Sequence, residues 1–249
     1  MRSVLFTVLG LPIYAYGTAL ALAFLVAIVL ASRDAAKKGF RPETIIDIAL
    51  ALCIGGIVGA RLLYVLLEFG YYRQHPLEIL MLRSGGLSFY GGAVAGFGLA
   101  WWYGRLKKLD AWMLADICVP YAALGYAIVR IGCFFNGCCY GVPTGVSWAL
   151  ACKAGDPLTL RHPTQLYASA GSFIIFLILF SLRNHRRFKG FLFFLYIGLY
   201  AIMRGMIEAF RDDQILFASI RTTQVICLIS VVFALYMIRR RESRRLHGE

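Results

Sequence analysis

The chain has 249 residues, 60% of them hydrophobic and 16% charged, with a mean hydropathy of +0.70. A soluble domain of this length cannot hide that much apolar surface, so the composition excludes one and indicates an integral membrane protein. The formal net charge of +13 does not mark a nucleic-acid binder, because the basic residues punctuate apolar runs with no interleaved polar surface to track a phosphate backbone.

A membrane-spanning helix needs about 20 largely apolar residues. Seven stretches meet that need: 14–31, 44–66, 86–104, 111–131, 164–182, 191–210 and 222–238. The expected fold is therefore all-α, a bundle of seven transmembrane helices forming one membrane domain over 1–249. The first stretch runs on into Ser32-Arg33-Asp34 with no small-residue cleavage site, so it is expected to stay as a helix and not to act as a removable signal peptide. Four Lys/Arg residues fall in 33–41, three in 105–108, four in 183–189 and five in 239–245. These segments alternate along the chain, and the positive-inside rule makes their side cytoplasmic. The N-terminus then lies outside and the C-terminus inside, and the loops 67–85, 132–163 and 211–221 face the exterior. The longest of these, 132–163, holds Pro143, Pro157 and several glycines and reads as a small exterior cap. The basic run at 239–245 reads as an anchor that attracts anionic lipid heads.

Polar groups inside such stretches need a partner or a task. Arg61, Arg130 and Arg204 all sit there, and several cations at membrane depth suggest a phosphate-bearing lipid as partner. Gly85-Gly86-Leu87-Ser88-Phe89-Tyr90-Gly91-Gly92 opens the third stretch. Its glycines suit either close helix packing or exposed backbone N–H groups that hold a phosphate. Arg130-Ile131-Gly132-Cys133-Phe134-Phe135-Asn136-Gly137-Cys138-Cys139-Tyr140-Gly141 closes the fourth, with Asn136-Gly137 as a turn signal. Cys53, Cys118 and Cys227 read as small core residues. Cys133, Cys138 and Cys139 lack the paired arms of a zinc motif, so no metal and no cofactor is assigned. A disulfide through Cys152 is chemically allowed, but its pairing is not legible.

Arg161-His162-Pro163-Thr164-Gln165-Leu166-Tyr167 packs a cation, an imidazole, an amide and a phenol at the mouth of the fifth stretch. His162 reads either as a base, imidazole titrating nearest neutrality, or as part of a helix start built on Pro163. Arg161 reads as a ligand or as a cap anchor. Arg204 and Glu208 are one helical turn apart and can neutralise each other, with Arg211 at the exit.

Taken in order, these motifs resemble those of the prolipoprotein diacylglyceryl transferase family. The resemblance runs over nearly the whole chain. It takes in Tyr14-Ala15-Tyr16-Gly17, with Tyr16 as the matching tyrosine, and Gly59-Ala60-Arg61-Leu62-Leu63-Tyr64. It continues through the double-glycine segment, the segment from Arg130 to Gly141, the Arg161 to Tyr167 string, and Arg204, Glu208, Arg211 and Gln224. It implies an enzyme of the bacterial plasma membrane whose active site faces the exterior. Such an enzyme moves the diacylglyceryl group of phosphatidylglycerol to the thiol of a prolipoprotein lipobox cysteine, giving a thioether and glycerol phosphate. By the same resemblance Arg130 and Arg204 occupy the essential arginine positions, and Tyr90 and His162 stand nearest the arriving thiol. Tyr16, Arg61, Gly86, Gly91, Asn136, Gly141, Arg161, Gln165, Tyr167, Glu208 and Arg211 complete the substrate site.

The chain departs from that pattern at chosen places. Tyr90 stands where family members often carry a histidine, and a phenol, with a reference pKa of about 10, is a weak base at neutral pH. Cys133 and Cys138 replace an asparagine and a glutamate, and Ala168 replaces a glutamate after Tyr167. Two other readings are therefore carried: a lipid transferase with a different thiol or small-molecule acceptor, and a non-catalytic lipid-binding membrane protein. Transport is disfavoured, since no internal repeat is visible.

Overall fold

The computed structural model describes residues 4–8, 11–81, 85–151, 159–185, 187–211, 215–217 and 220–246. Eight α-helices dominate the described residues: α1 Ala15–Lys37, α2 Pro42–Leu67, α3 Phe69–Gln74, α4 Phe89–Leu106, α5 Ala111–Asn136, α6 Thr164–Leu182, α7 Phe191–Glu208 and α8 Thr222–Leu246. Three antiparallel ribbons join them: β1 Val4–Val8 with β2 Leu11–Tyr14, β3 Leu150–Ala151 with β4 Leu160–Arg161, and β5 Ile215–Phe217 with β6 Ile220–Arg221. The hydropathy reading, tuned to long apolar runs, did not anticipate these short ribbons.

Among the described residues six helices are long and apolar enough to cross a membrane, namely α1, α2, α5, α6, α7 and α8. The stretch expected to span at 86–104 does form a helix, α4, but falls outside that group. Its glycines, Tyr90, Trp101, Trp102, Tyr103 and Arg105 dilute its apolar character. The chain divides into two compact units, Ala31–Leu114 and, together, Met1–Leu30 with Ala115–Glu249, the boundaries falling within α1 and α5.

In the unit Ala31–Leu114, α2 and α4 meet through small residues. A Cβ added to Gly55 would lie 2.8 Å from the Ala95 carbonyl oxygen, and one on Gly59 would strike the Gly91 carbonyl and the Ala95 methyl. Without a solvent-driven hydrophobic force between helices in lipid, such close backbone approach supplies the packing energy. Gly59→Val is accordingly expected to destabilise this unit by about 1–3 kcal/mol. Thermal unfolding in detergent checks this, with Gly98→Ala, where a new methyl meets nothing within 4 Å, as the silent control.

The larger unit has its core where Val119 and Ala123 of α5, Ile175 and Leu179 of α6, and Phe191 and Leu192 of α7 come together. Ser169 and Ser172 of α6 donate to the Ala127 and Ala123 carbonyls of α5, each at 2.9 Å. The buried Asp116 carboxylate accepts from the Gly190 and Phe193 amides at 2.8 and 3.0 Å, satisfying N–H groups at the start of α7. Small residues again mediate the α7–α8 contact, where a Cβ on Gly198 would sit 3.4 Å from Ala234 and one on Gly205 3.5 Å from Cys227.

Candidate active site

The C-terminus of α5 builds the centre of the site. Gly137, at φ +77°, donates its amide to the Phe134 carbonyl at 3.1 Å, and the Cys138 amide reaches the Cys133 carbonyl at 3.3 Å. This is a Schellman motif, which folds the residue after the glycine back over the last helical turn. Cys133 and Cys138 are thereby brought together. Cys139 then adopts φ +67°, unusual for a residue with a side chain, and its Sγ lies 3.3 Å from that of Cys138. All three sulfurs fall within 4.8 Å of one another.

The loop that follows is fastened to the start of α6 and the end of α7. Gly141 donates to the His162 carbonyl and Val142 to the Phe210 carbonyl, both at 2.9 Å. Thr164 Oγ1 donates to the Cys139 carbonyl at 2.6 Å, Gln165 Nε2 to the Cys138 carbonyl, and Arg161 to the Gly141 carbonyl at 3.2 Å. A Cβ on Gly141 would collide with the Phe210 carbonyl and crowd Thr164 and His162. Only a glycine allows this three-way approach. Gln165 is buried, and among the described residues its Oε1 has no hydrogen-bond partner.

One turn before the cysteines, Arg130 lies over the ring of Tyr126, 4.7 Å from its centroid, and also donates to the Tyr126 hydroxyl. Its Nε is buried without a hydrogen-bond partner among the described residues. Tyr126 in turn meets Tyr200 of α7 edge-on, centroids 5.6 Å apart. Arg204 follows Tyr200 by one turn and forms the expected pair with Glu208, 2.6 Å apart, the Glu208 side chain being 0% exposed. The two arginines thus sit at equivalent steps beyond a tyrosine contact that joins α5 to α7. Since Val142 and Phe210 meet just beyond, both lie near the same end of this unit.

Around them, Tyr16 begins α1 with its Cα 3.4 Å from where a Cβ on Gly132 would stand. It is within electrostatic reach of Arg130 and all three cysteines. Arg211, beyond α7, faces Cys139 in the same way. The hydrogen bond from Cys133 holds the Cys139 thiol well below the ordinary thiol range, with Cys138, Arg130 and Arg211 acting in the same direction against burial. Burial pushes Cys138 up. Asn136, exposed, bonds the Cys138 thiol, and Gln224 lies in the first turn of α8.

His162 Nδ1 is 3.1 Å from the Tyr167 hydroxyl, which accepts from Trp148 Nε1 at 2.7 Å. With the His162 ring 4.9 Å from that of Phe210, these groups form the polar mouth of an apolar groove of about 620 Å³ between α6 and α7, lined beyond by Gly171, Ile174, Met203 and Met206 among others.

The remaining expected site residues belong to the other unit. Arg61 is 5% exposed, and all its N–H groups point to backbone carbonyls: Nε to Ile79 at 2.8 Å, Nη1 to Gly85 and Gly86 at 2.8 and 2.9 Å, and Nη2 to Glu78 and, at 3.4 Å, Met81. It organises the turn before α4. Gly86, at φ +75°, has no room for a side chain against Arg61 and Tyr64, and Gly91 is pressed on Gly59. Tyr90 is 76% exposed in the first turn of α4. Cys152, Asp212 and Asp213 lie outside the described residues.

A family model described as prolipoprotein diacylglyceryl transferase matches residues 3–240. The chain belongs to the prolipoprotein diacylglyceryl transferase family. A phosphatidylglycerol–prolipoprotein diacylglyceryl transferase of Finegoldia magna is 35% identical over 233 residues, 93% of this chain and 92% of its own. Those of Clostridium tetani, at 34% over 95% of this chain and 96% of theirs, and Acaryochloris marina, at 35% over 90% and 87%, agree. In this member of the prolipoprotein diacylglyceryl transferase family, the motif reading missed Tyr126, Tyr200, Trp148 and Thr164. The tyrosines carried one usable signal, each preceding an expected arginine by four residues on an apolar helix.

Proposed function

We propose that the chain is a membrane enzyme that transfers the diacylglyceryl group of phosphatidylglycerol to the thiol of a prolipoprotein lipobox cysteine. The reading rests above all on Arg130, an arginine near one end of an apolar helix whose buried Nε has no hydrogen-bond partner among the described residues. Such a donor is matched by an anionic oxygen. Arg204, with Glu208 to orient it, is the second cation of the phosphate site.

The reaction asks for what these residues offer. As the thiolate sulfur bonds to the glycerol carbon, the C–O bond to phosphate breaks and charge grows on the departing oxygens. Fixed guanidinium groups in a low-dielectric setting stabilise that charge. Gln165 and Asn136 supply further hydrogen bonds. His162 and Tyr167 orient the mouth of the α6–α7 groove, whose apolar walls suit an acyl chain entering sideways from the bilayer. Arg61 acts at a distance by shaping the turn that carries Gly86. With α4 counted as a seventh span, the charge pattern puts the N-terminus outside, the C-terminus in the cytoplasm of a bacterial cell, and the site at the exterior face, capped by 132–163.

Glycerol phosphate release from phosphatidylglycerol bilayers tests this. Release is expected only when a lipobox peptide with its cysteine is present. Equal release with a Cys→Ser peptide would contradict the acceptor and favour plain lipid hydrolysis. Tyr90→Phe is expected to keep transfer within about threefold of the parent rate, because a phenol contributes little as a base at neutral pH. A loss of 100-fold or more would return Tyr90 to the chemistry.

A further inference from the structure

We propose that Cys133, Cys138 and Cys139 hold a zinc ion whose open fourth position takes the acceptor thiol. The inference rests on the transferase reading for the identity of that thiol, but not for the metal site itself.

The geometry is that of a three-thiolate centre. Zinc–sulfur bonds of about 2.3 Å in a tetrahedral or trigonal array space the sulfurs by about 4 Å. The separations here are within reach of that value, with 3.3 Å between Cys138 and Cys139 and all three sulfurs within 4.8 Å of one another. No long-range accident is needed to hold them. The Schellman turn fixes Cys133 against Cys138, the positive φ of Cys139 turns its sulfur back, and Thr164 and Gln165 clamp the carbonyls of Cys139 and Cys138. Among the described residues no histidine or carboxylate joins the group. Three protein ligands with a vacant position is the pattern of catalytic zinc. Arg130 and Arg211 nearby offset the charge of three thiolates.

The chemistry then closes a gap. Thiol alkylation needs a thiolate, and the exposed phenol of Tyr90 is poorly suited to generate one. Zinc lowers the pKa of a bound thiol as it does that of water. The acceptor thiol binds the metal and releases its proton to solvent. The zinc-bound sulfur then forms the S–C bond to the glycerol carbon as the C–O bond breaks, the electron pair leaving on the phosphate oxygen. The neutral thioether is a weaker ligand and departs, freeing the position. No oxidant or reductant enters. The site lies one turn from Arg130, so the nucleophile and the phosphate-holding guanidinium share one helix end.

The test uses full-length protein purified anaerobically in bilayer discs. Metal analysis is expected to give one zinc per chain. After chelation, Co²⁺ titration should produce sulfur-to-cobalt charge-transfer absorption saturating at one equivalent, kept in Cys53→Ser and lost in Cys133→Ser, Cys138→Ser and Cys139→Ser. Should a variant fail to fold, alkylation of the unaltered chain decides: zinc is expected to slow labelling of all three cysteines together. Transfer to a lipobox peptide should drop by about 100-fold or more in metal-free protein, as for loss of a general base, and return with Zn²⁺. A missing cobalt band, copper in place of zinc, a Cys138–Cys139 or Cys133–Cys139 disulfide in the anaerobic protein, or undiminished transfer without metal would each overturn the inference and leave the transferase reading standing. A normal cobalt band with no transfer by the zinc-loaded chain would confirm the metal site and defeat the transferase reading.

Discussion

Replacing Arg130 with alanine is expected to lower diacylglyceryl transfer by roughly 10²- to 10³-fold, the usual penalty for deleting one preorganised donor to a developing oxyanion. The side chain is held before substrate arrives: stacked on Tyr126, bonded to its hydroxyl, and buried with Nε still unpartnered among the described residues. Arg130→Lys keeps the charge but loses the planar fork. Losing one charge-assisted hydrogen bond of about 1.5–3 kcal/mol should slow transfer by about 10- to 100-fold. Tyr126→Phe keeps the stacking surface and removes only the hydroxyl, so it should fall between the parent and Arg130→Lys. Initial rates under excess phosphatidylglycerol read all three. Full activity in Arg130→Lys would mean that a point charge suffices and that the phosphate is held differently.

The second large effect is on stability. Glu208 is 0% exposed at the end of α7 and lies 2.6 Å from Arg204, whose side chain is 21% exposed. Glu208→Leu leaves a guanidinium in apolar surroundings with its close counter-charge gone, a change expected to destabilise by about 3–5 kcal/mol. The double change Arg204→Leu with Glu208→Leu removes both charges and should recover most of that loss, because a buried pair contributes little net stability over apolar side chains of similar size. Activity should separate from stability here. The double variant is expected to fold and to be inactive, since the proposed function makes Arg204 a phosphate ligand. Thermal unfolding and transfer rate on the same preparations check it. A double variant as unstable as Glu208→Leu would show that the pair does more than cancel charge.

Features set by spacing along one helix were legible in the sequence. Arg204 and Glu208, four residues apart, do pair, and the Pro163 start of α6 falls within one residue of its expected place. Long apolar runs located the helices. What the sequence hid depends on backbone signs and on chain segments brought from afar. Arg61 reads as a free intramembrane cation until the carbonyls of Glu78, Ile79, Met81, Gly85 and Gly86 turn toward it and take all its donors. Tyr126 and Tyr200 look like packing residues until α5 and α7 bring their rings together. The cysteines are the instructive case. Zinc-motif spacing argues against them, yet Asn136-Gly137 at the end of an apolar run is a helix stop, and a Schellman stop pairs the residue after the glycine with the residue five positions earlier. That much was readable. The positive φ of Cys139, which brings in the third sulfur, was not.

The most direct test of the account is the mass of a lipobox peptide after incubation with the purified chain in phosphatidylglycerol bilayers. A gain of one diacylglyceryl group on the cysteine sulfur is expected, absent with Arg130→Ala and Arg204→Ala. An unmodified cysteine, from a folded protein assayed beside an active relative, would contradict it.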